Sequence, residues 1–150
     1  MLSKKERALI KEIWEKLTPE AERIGSEALL RMFVSYPGSK TYFSHLDISP
    51  GSAHLLSHGK KIVLAIAEGA QDISQLMVTL APLQTLHAYQ LRIDPSNFKV
   101  DKSVCFLELF SHCMLVTLAA YMGDEFTPIA HAAMDKYLSA FAAVLAEKYR

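Results

Sequence analysis

The chain has 150 residues, which is enough for a single domain, 1–150, with a sizeable buried core. Its 16 lysines and arginines match its 16 aspartates and glutamates, so the charge gives no reason to expect a nucleic-acid or membrane partner. The amino terminus is rich in lysine and glutamate, and the longest apolar stretches, such as 114–122, are far too short for a bilayer span. We therefore expect a soluble intracellular protein.

Helix-capping signals divide the chain into segments. Ser3 and Glu6 form the pattern of a capping box, and an amphipathic stripe of apolar residues follows them. Thr18 and Thr127 each combine a hydroxyl N-cap with a proline at the next position. No stretch alternates with a period of two for long enough to be a strand. The predicted fold class is all-α, with helices near 3–17, 19–36, 37–43, 52–71, 80–90, 95 or 103 to 121, and 128–149.

Two histidines lie in apolar helical stretches. His58 shares a helical stripe with Leu55 and Ile62, and His87 lies among leucines on neighbouring turns. Two imidazoles that face one another across a buried slot would suit an axial metal or haem site. The alternative is a pair of core histidines bonded to backbone groups, and spacing alone does not decide between the two. Neither cysteine fits a metal or disulfide pattern, so we interpret Cys105 and Cys113 as small core residues.

Several motifs, taken in order, carry a resemblance that decides this question. They are K-T-Y-F-S-H at 40–45, H-G-K-K at 58–61, L-H-A at 86–88, L-R-I-D-P at 91–95 and E-K-Y-R at 147–150. Together they resemble the alpha-type chains of vertebrate haemoglobin, and the start M-L-S with M-G at 122–123 is most similar to the alpha-D subtype. The resemblance covers nearly the whole chain. It implies a globin fold with helices packed around a haem pocket.

The resemblance also implies roles for the site residues, with haem b and its iron as cofactor. His87 matches the residue that ligates the iron, and His58 matches the distal histidine, which donates a hydrogen bond to bound O₂. The other matching cofactor-binding residues are Tyr42, Phe43, His45, Lys61, Ile62, Leu83, Leu86, Leu91, Ile93, Asn97, Phe98, Phe110 and Leu145, and Leu29, Phe33 and Ile66 complete the apolar pocket. For His45 and Lys61, a solvated surface position is the alternative.

The implied function is reversible oxygen binding and transport by an alpha-type subunit of an α₂β₂ haemoglobin tetramer in the erythroid cytoplasm. The residues that match contacts with a beta-type chain are Arg31, His112, Cys113, Val116, Phe126, His131 and Asp135; those that match the sliding interface are Tyr42, Arg92, Asp94, Asn97, Tyr149 and Arg150. Gly38 and Ser44 depart from the family's threonine and proline at the sliding interface. The family also brings the helices that carry Gly25 and Gly59 into contact, which explains two costly helix-interior glycines.

Other function classes have weaker support. No nucleophile motif or carboxylate pair marks an enzyme, and no catalytic residue is implied. A haem enzyme of the peroxidase type calls for a charged acid or base on the distal side, which Leu29 and Ile62 do not supply. The alternative function is a non-transporting haem globin, either a weak haem enzyme or an isoform that fails to assemble.

One segment departs from the family pattern. The family passes almost at once from Lys99 to the motif L-x-S-H-C, whereas here the nine residues 100–108 intervene before L-F-S-H-C at 109–113. Nine residues turn a straight helix by about two and a half revolutions and lengthen it by ~13 Å, so Phe98 and Phe110 cannot both line the haem.

Two arrangements of this segment are open. The extra residues loop out and Phe98 keeps its place, or the helix restarts near Ser103, Leu107 takes the position of Phe98, and 94–102 form an enlarged corner. The segment is either a genuine insertion or an artefact of the gene model, and the sequence fits both equally well.

Overall fold

The structure, a computed structural model, describes the backbone of residues 2–43, 47–83 and 100–146, with their side chains except those of 42, 100–106 and 146. All regular elements in these ranges are helical, as predicted. The α-helices are α1 (Lys4–Leu17), α2 (Ala21–Ser35), α3 (Ala53–Gln71), α4 (Leu76–Thr79), α5 (Val100–Met122) and α6 (Pro128–Ala146). Short 3₁₀ helices lie at Thr18–Glu20, Pro37–Phe43, Ile73–Gln75 and Gly123–Glu125, and residues 81–83 are also helical.

The predicted caps at both ends of the chain are confirmed. The Glu6 N–H donates to Ser3 Oγ at 3.2 Å and the Ser3 N–H donates to Glu6 Oε1 at 3.1 Å, which completes the capping box of α1. The Ala130 N–H donates to Thr127 Oγ1 at 3.2 Å at the start of α6. The bonds from Glu6 and Ala130 satisfy N–H groups that a helix leaves without partners in its first turn.

The predicted N-cap at Thr18 is wrong. The Thr18 hydroxyl donates to the carbonyl of Trp14 at 2.6 Å, because α1 continues without a break into the 3₁₀ helix and leaves a helix carbonyl within reach. The next α-helix therefore begins at Ala21, and no side chain bonds to its first turn.

Helices α2 and α3 cross at the two glycines, as expected. A Cβ atom on Gly59 would lie 2.6 Å from the carbonyl carbon of Gly25 and 3.0 Å from its Cα, so no side chain larger than hydrogen fits. Gly59 directly follows His58 in α3. The backbone contact therefore fixes the position of His58 along the axis of α2.

The buried apolar residues in the described ranges form two clusters. The larger cluster joins α1, α3, α4 and α6 with parts of α2 and α5, and Trp14 and Tyr137 are completely buried in it. The smaller cluster lies mainly between α2 and α5 and contains the buried residues Leu29, Met32, Phe33, Leu55 and Cys113. The prediction that Cys113 is a buried core residue is confirmed, and it is a free thiol. The Cys105 side chain lies outside the described residues.

The structure also shows the backbone conformation of residues 100–108. Helix α5 runs without interruption from Val100 to Met122, so these residues are helical and do not loop out. The helix includes Val100, three residues before the predicted restart at Ser103, and Leu107 packs against the larger cluster. In the part of the chain that the structure describes, no helix is long and apolar enough to cross a membrane.

Candidate functional site

His58 lies at the end of a row of three aromatic rings. Its imidazole contacts the Phe43 ring edge to face, with 5.3 Å between centroids, and Phe43 contacts Phe33 in the same way at 5.2 Å. Phe33 is buried in the smaller cluster, whereas Phe43 and His58 are half-buried. Edge-to-face contacts orient a ring as well as bury it. The row therefore holds the imidazole in a fixed plane at the edge of the core.

Two apolar side chains beside this row contact both clusters. Ile62 lies one helical turn after His58 on α3, and Phe110 lies on α5. Both are only partly buried, whereas the residues that define the two clusters are buried. We call the group formed by Phe43, His58, Ile62 and Phe110 the junction. It combines partly buried apolar side chains with an imidazole.

The structure describes part of the predicted pocket. Leu29 is buried in the smaller cluster, and Ile66 and Leu145 are buried in the larger one. Leu83 is partly buried and packs against the larger cluster, and Lys61 is exposed. The predicted site residues outside the described side chains are Tyr42, His45, Leu86, His87, Leu91, Ile93, Asn97 and Phe98. The pairing of His58 with His87 therefore stays a prediction.

One residue beside the site was missed by sequence reasoning. Ile48 is partly buried and packs against the smaller cluster. The signal was a single apolar residue in a polar turn, which by itself is too common to indicate a site.

The residues predicted to face a partner chain form two groups on the surface. The first lies along a groove between α2 and α5 whose lining includes Arg31, His112, Cys113 and Val116. The second includes Phe126 and His131, whose rings stack at 5.5 Å, with the exposed Asp135 on the same helix as His131. In the sliding interface, the side chains of all six predicted residues lie outside the described part of the chain.

Comparison with known proteins decides the family. The globin family model matches residues 26–145. The chain belongs to the globin family. Haemoglobin subunit alpha-D of Coturnix japonica is 49% identical over 150 residues and covers all of both chains. The same subunit of Anser indicus and of Meleagris gallopavo is 47% identical, again over all of both chains. These matches confirm the resemblance to alpha-type chains and the all-α globin fold.

The globin family implies haem with iron as the cofactor, and the junction fits it in two ways. Its apolar side chains suit the faces of a porphyrin. Within the described ranges, no group of three or more histidine, cysteine, aspartate or glutamate side chains is placed to hold a metal ion. The junction also carries the His58 imidazole, a side chain that suits the surroundings of haem iron.

Proposed function

We propose that this globin is an oxygen carrier, an alpha-type haemoglobin subunit that folds as one domain and works in the erythroid cytoplasm. The observation that carries the proposal is the half-buried His58 at the junction, oriented by Phe43 and flanked by Ile62. The alpha-D relatives support the same function.

When bound, haem supplies a ferrous iron that binds O₂ reversibly. The side chains of the protein hold the haem and set the polarity around it. We propose His87 as the residue that would hold the haem iron through its imidazole. With haem in place, Ile62 and Phe110 would exclude water from the junction, and the low polarity there would disfavour oxidation of the iron. His58, whose ring contacts Phe43, would donate a hydrogen bond to O₂ in the site.

The side chains of the junction favour a carrier over a haem enzyme. Heterolytic chemistry on oxygen species needs a charged acid or base beside the ligand. Leu29 is buried within the smaller cluster and Ile62 is apolar, so neither supplies one. Among the described residues of the junction, His58 is the one titratable side chain.

A beta-type globin chain is the proposed partner, and the groove between α2 and α5 is its proposed docking surface. Two valines present apolar surface there: Val34 is 80% exposed and Val116 is 45% exposed. Arg31 donates to Thr117 Oγ1 at 2.9 Å and lies 3.6 Å from Glu27 Oε2, which fixes its guanidinium along the groove. An apolar centre with charged residues around it is typical of a protein interface.

The proposed cofactor site is tested by the visible spectrum of the reduced protein, alone and with O₂ or CO, for the wild type and for His87→Ala. We expect the wild type to give a five-coordinate deoxy spectrum that changes reversibly with each gas. His87→Ala should lose that spectrum, because the axial nitrogen is removed. The control is His54→Ala, which removes an exposed histidine of α3 and should leave all spectra unchanged. A normal deoxy spectrum in His87→Ala, without added imidazole, would contradict the assignment.

Assembly is tested by the mass in solution of the haem-loaded chain mixed with a beta-type chain. A tetramer that binds O₂ cooperatively supports transport as part of haemoglobin. A haem-loaded chain that stays a monomer would instead favour the non-transporting globin. Val34→Glu places a charge in the groove and should prevent pairing, whereas Val78→Glu, at a residue that is 70% exposed and outside the groove, should not.

A further inference from the structure

Helix α5 places Leu107 on the helix face that packs into the larger cluster. Leu107 lies seven residues before Met114 and eleven before Leu118. At ~100° per residue, these separations put the three side chains within about 20° of one face. Met114 and Leu118 are completely buried, and Leu107 packs against the same cluster. Leu107 therefore contributes to the core in the register of the rest of the helix.

Leu107 is only partly buried, and so is Phe110, which lies one turn further along and contacts both clusters at the junction. The Ser111 hydroxyl donates to the Leu107 carbonyl at 2.8 Å, so the hydroxyl reaches back one helical turn along this part of the helix. Leu107 and Phe110 thus present adjacent, incompletely covered apolar surface.

We propose that Leu107 contacts the haem in this chain, so that the segment 100–108 builds part of the cofactor pocket. This inference rests on the proposed function. The ligand surface is the apolar face or edge of the porphyrin, since Leu107 offers only carbon atoms and lies one turn from Phe110. Nine residues separate Leu107 from Phe98, a spacing that puts two side chains of a straight helix on opposite faces. The described helix places Leu107 one turn before Phe110, so we expect Leu107 rather than Phe98 to contact the haem beside Phe110.

The test compares Leu107→Ala with Phe98→Ala. The measurement is the rate of haem transfer from the ferric protein to an excess of a tightly binding apoglobin, and the control is Glu108→Ala at the exposed neighbouring position. We expect Leu107→Ala to lose haem about tenfold faster than the wild type, because contact with the porphyrin is lost. Phe98→Ala and Glu108→Ala should lose it at nearly the wild-type rate.

A second measurement separates a cofactor contact from a purely structural role. Thermal unfolding of the haem-free variants reports how much Leu107 stabilises the fold by itself. Leu107→Met, which keeps the volume, should restore slow haem loss, and Leu107→Val provides a milder truncation if Leu107→Ala does not fold. Lower stability without faster haem loss would overturn the inference, as would a larger effect of Phe98→Ala. A wild type that takes up no haem would overturn the proposed function itself, and its spectrum is therefore recorded first.

Discussion

The larger cluster and the junction use the same kinds of side chain in different ways. In the larger cluster, Trp14 and Tyr137 are completely buried, and their polar atoms have partners within the protein: Trp14 Nε1 donates to Met134 Sδ at 3.2 Å, and the Tyr137 hydroxyl donates to the Ile66 carbonyl at 2.6 Å. At the junction, the apolar side chains are only partly covered. A closed core stabilises the fold, whereas an open apolar surface is available to a ligand.

Helix α3 belongs to both regions. Val63 and Ile66 are completely buried in the larger cluster, while His58 and Ile62 lie at the junction. Because the backbone of α3 at Gly59 packs against Gly25, α3 holds the two regions at a fixed distance from each other. Substitutions should nevertheless separate the two regions, because one carries stability and the other carries ligand binding.

The largest effect on stability is expected from Trp14→Ala. Removing a completely buried tryptophan typically costs ~3–5 kcal/mol of unfolding free energy, and here it also leaves Met134 without its donor. Urea unfolding of the haem-free chain measures this loss, with Lys11→Ala, at an exposed position of α1, as the control. The O₂ dissociation rate of the loaded protein should be unchanged. A changed rate would mean that the two regions are not separable.

The converse variant is His58→Leu. A hydrogen bond to a partly charged acceptor is worth ~1.5–3 kcal/mol, so its loss should raise the O₂ dissociation rate roughly ten- to a hundredfold. Stopped-flow replacement of O₂ by CO measures the rate. Dissociation of CO, a less polar ligand, should respond less, and His54→Leu on the same helix serves as the control. An unchanged O₂ rate would show that His58 does not contact the ligand.

Features that depend on one helical turn or one pair of residues could be predicted from the sequence. The caps at Ser3 and Thr127 follow from side chains that reach the next turn of backbone. The contact of Gly25 with Gly59 follows from two glycines where only hydrogen fits, together with the resemblance to a known family. The partial burial of His58 agrees with its place on an apolar stripe.

Features that depend on distant partners could not be predicted. The Thr18 hydroxyl had two possible partners within reach, and only the path of the chain after α1 selects the Trp14 carbonyl. Apolar periodicity indicates burial but not the cluster in which a residue is buried, so the place of Ile62 and Phe110 between two clusters was not visible. The course of 100–108 depends on Leu107 packing against helices far away in sequence.

A smaller loss of stability is expected from Tyr137→Phe. The hydroxyl joins α6 to α3 through the Ile66 carbonyl, and a buried hydrogen bond of this kind contributes about 0.5–1.5 kcal/mol. Burial also raises the pKa of Tyr137 above its ordinary value of 10.0, so its neutral form stabilises the fold below that pH and the contribution is lost as the pH rises through the raised pKa. Unfolding from pH 7 to alkaline pH measures both effects.

In Tyr137→Phe, the part of the alkaline destabilisation that comes from this hydroxyl should be absent. Tyr121→Phe is the control, because the Tyr121 ring, which lies 5.3 Å from the Arg23 guanidinium, is kept in that variant. If Tyr137→Phe unfolded at alkaline pH in the same way as the wild type, the buried hydroxyl would have no part in that pH dependence.

The smallest effect is expected at the rim of the larger cluster, from Glu6→Gln. Hydrogen bonding from the Ser3 backbone lowers the pKa of Glu6 below 4.5, with a further contribution from Lys136, whose Nζ lies 3.1 Å from Glu6 Oε2. A lowered pKa means that the ionised carboxylate stabilises the fold above about pH 4.5, and that this contribution is lost as the pH falls through the lower value.

Glu6→Gln should therefore be slightly less stable than the wild type at neutral pH and should lose less stability on acidification. Salt should reduce the difference at neutral pH, because Lys136 is exposed to solvent and its charge is screened by ions. The measurement is chemical unfolding between pH 3 and 7, with Glu15→Gln, exposed on the same helix, as the control. An identical acid slope in Glu6→Gln and the wild type would mean that the link between α1 and α6 rests on the apolar contacts of the cluster alone.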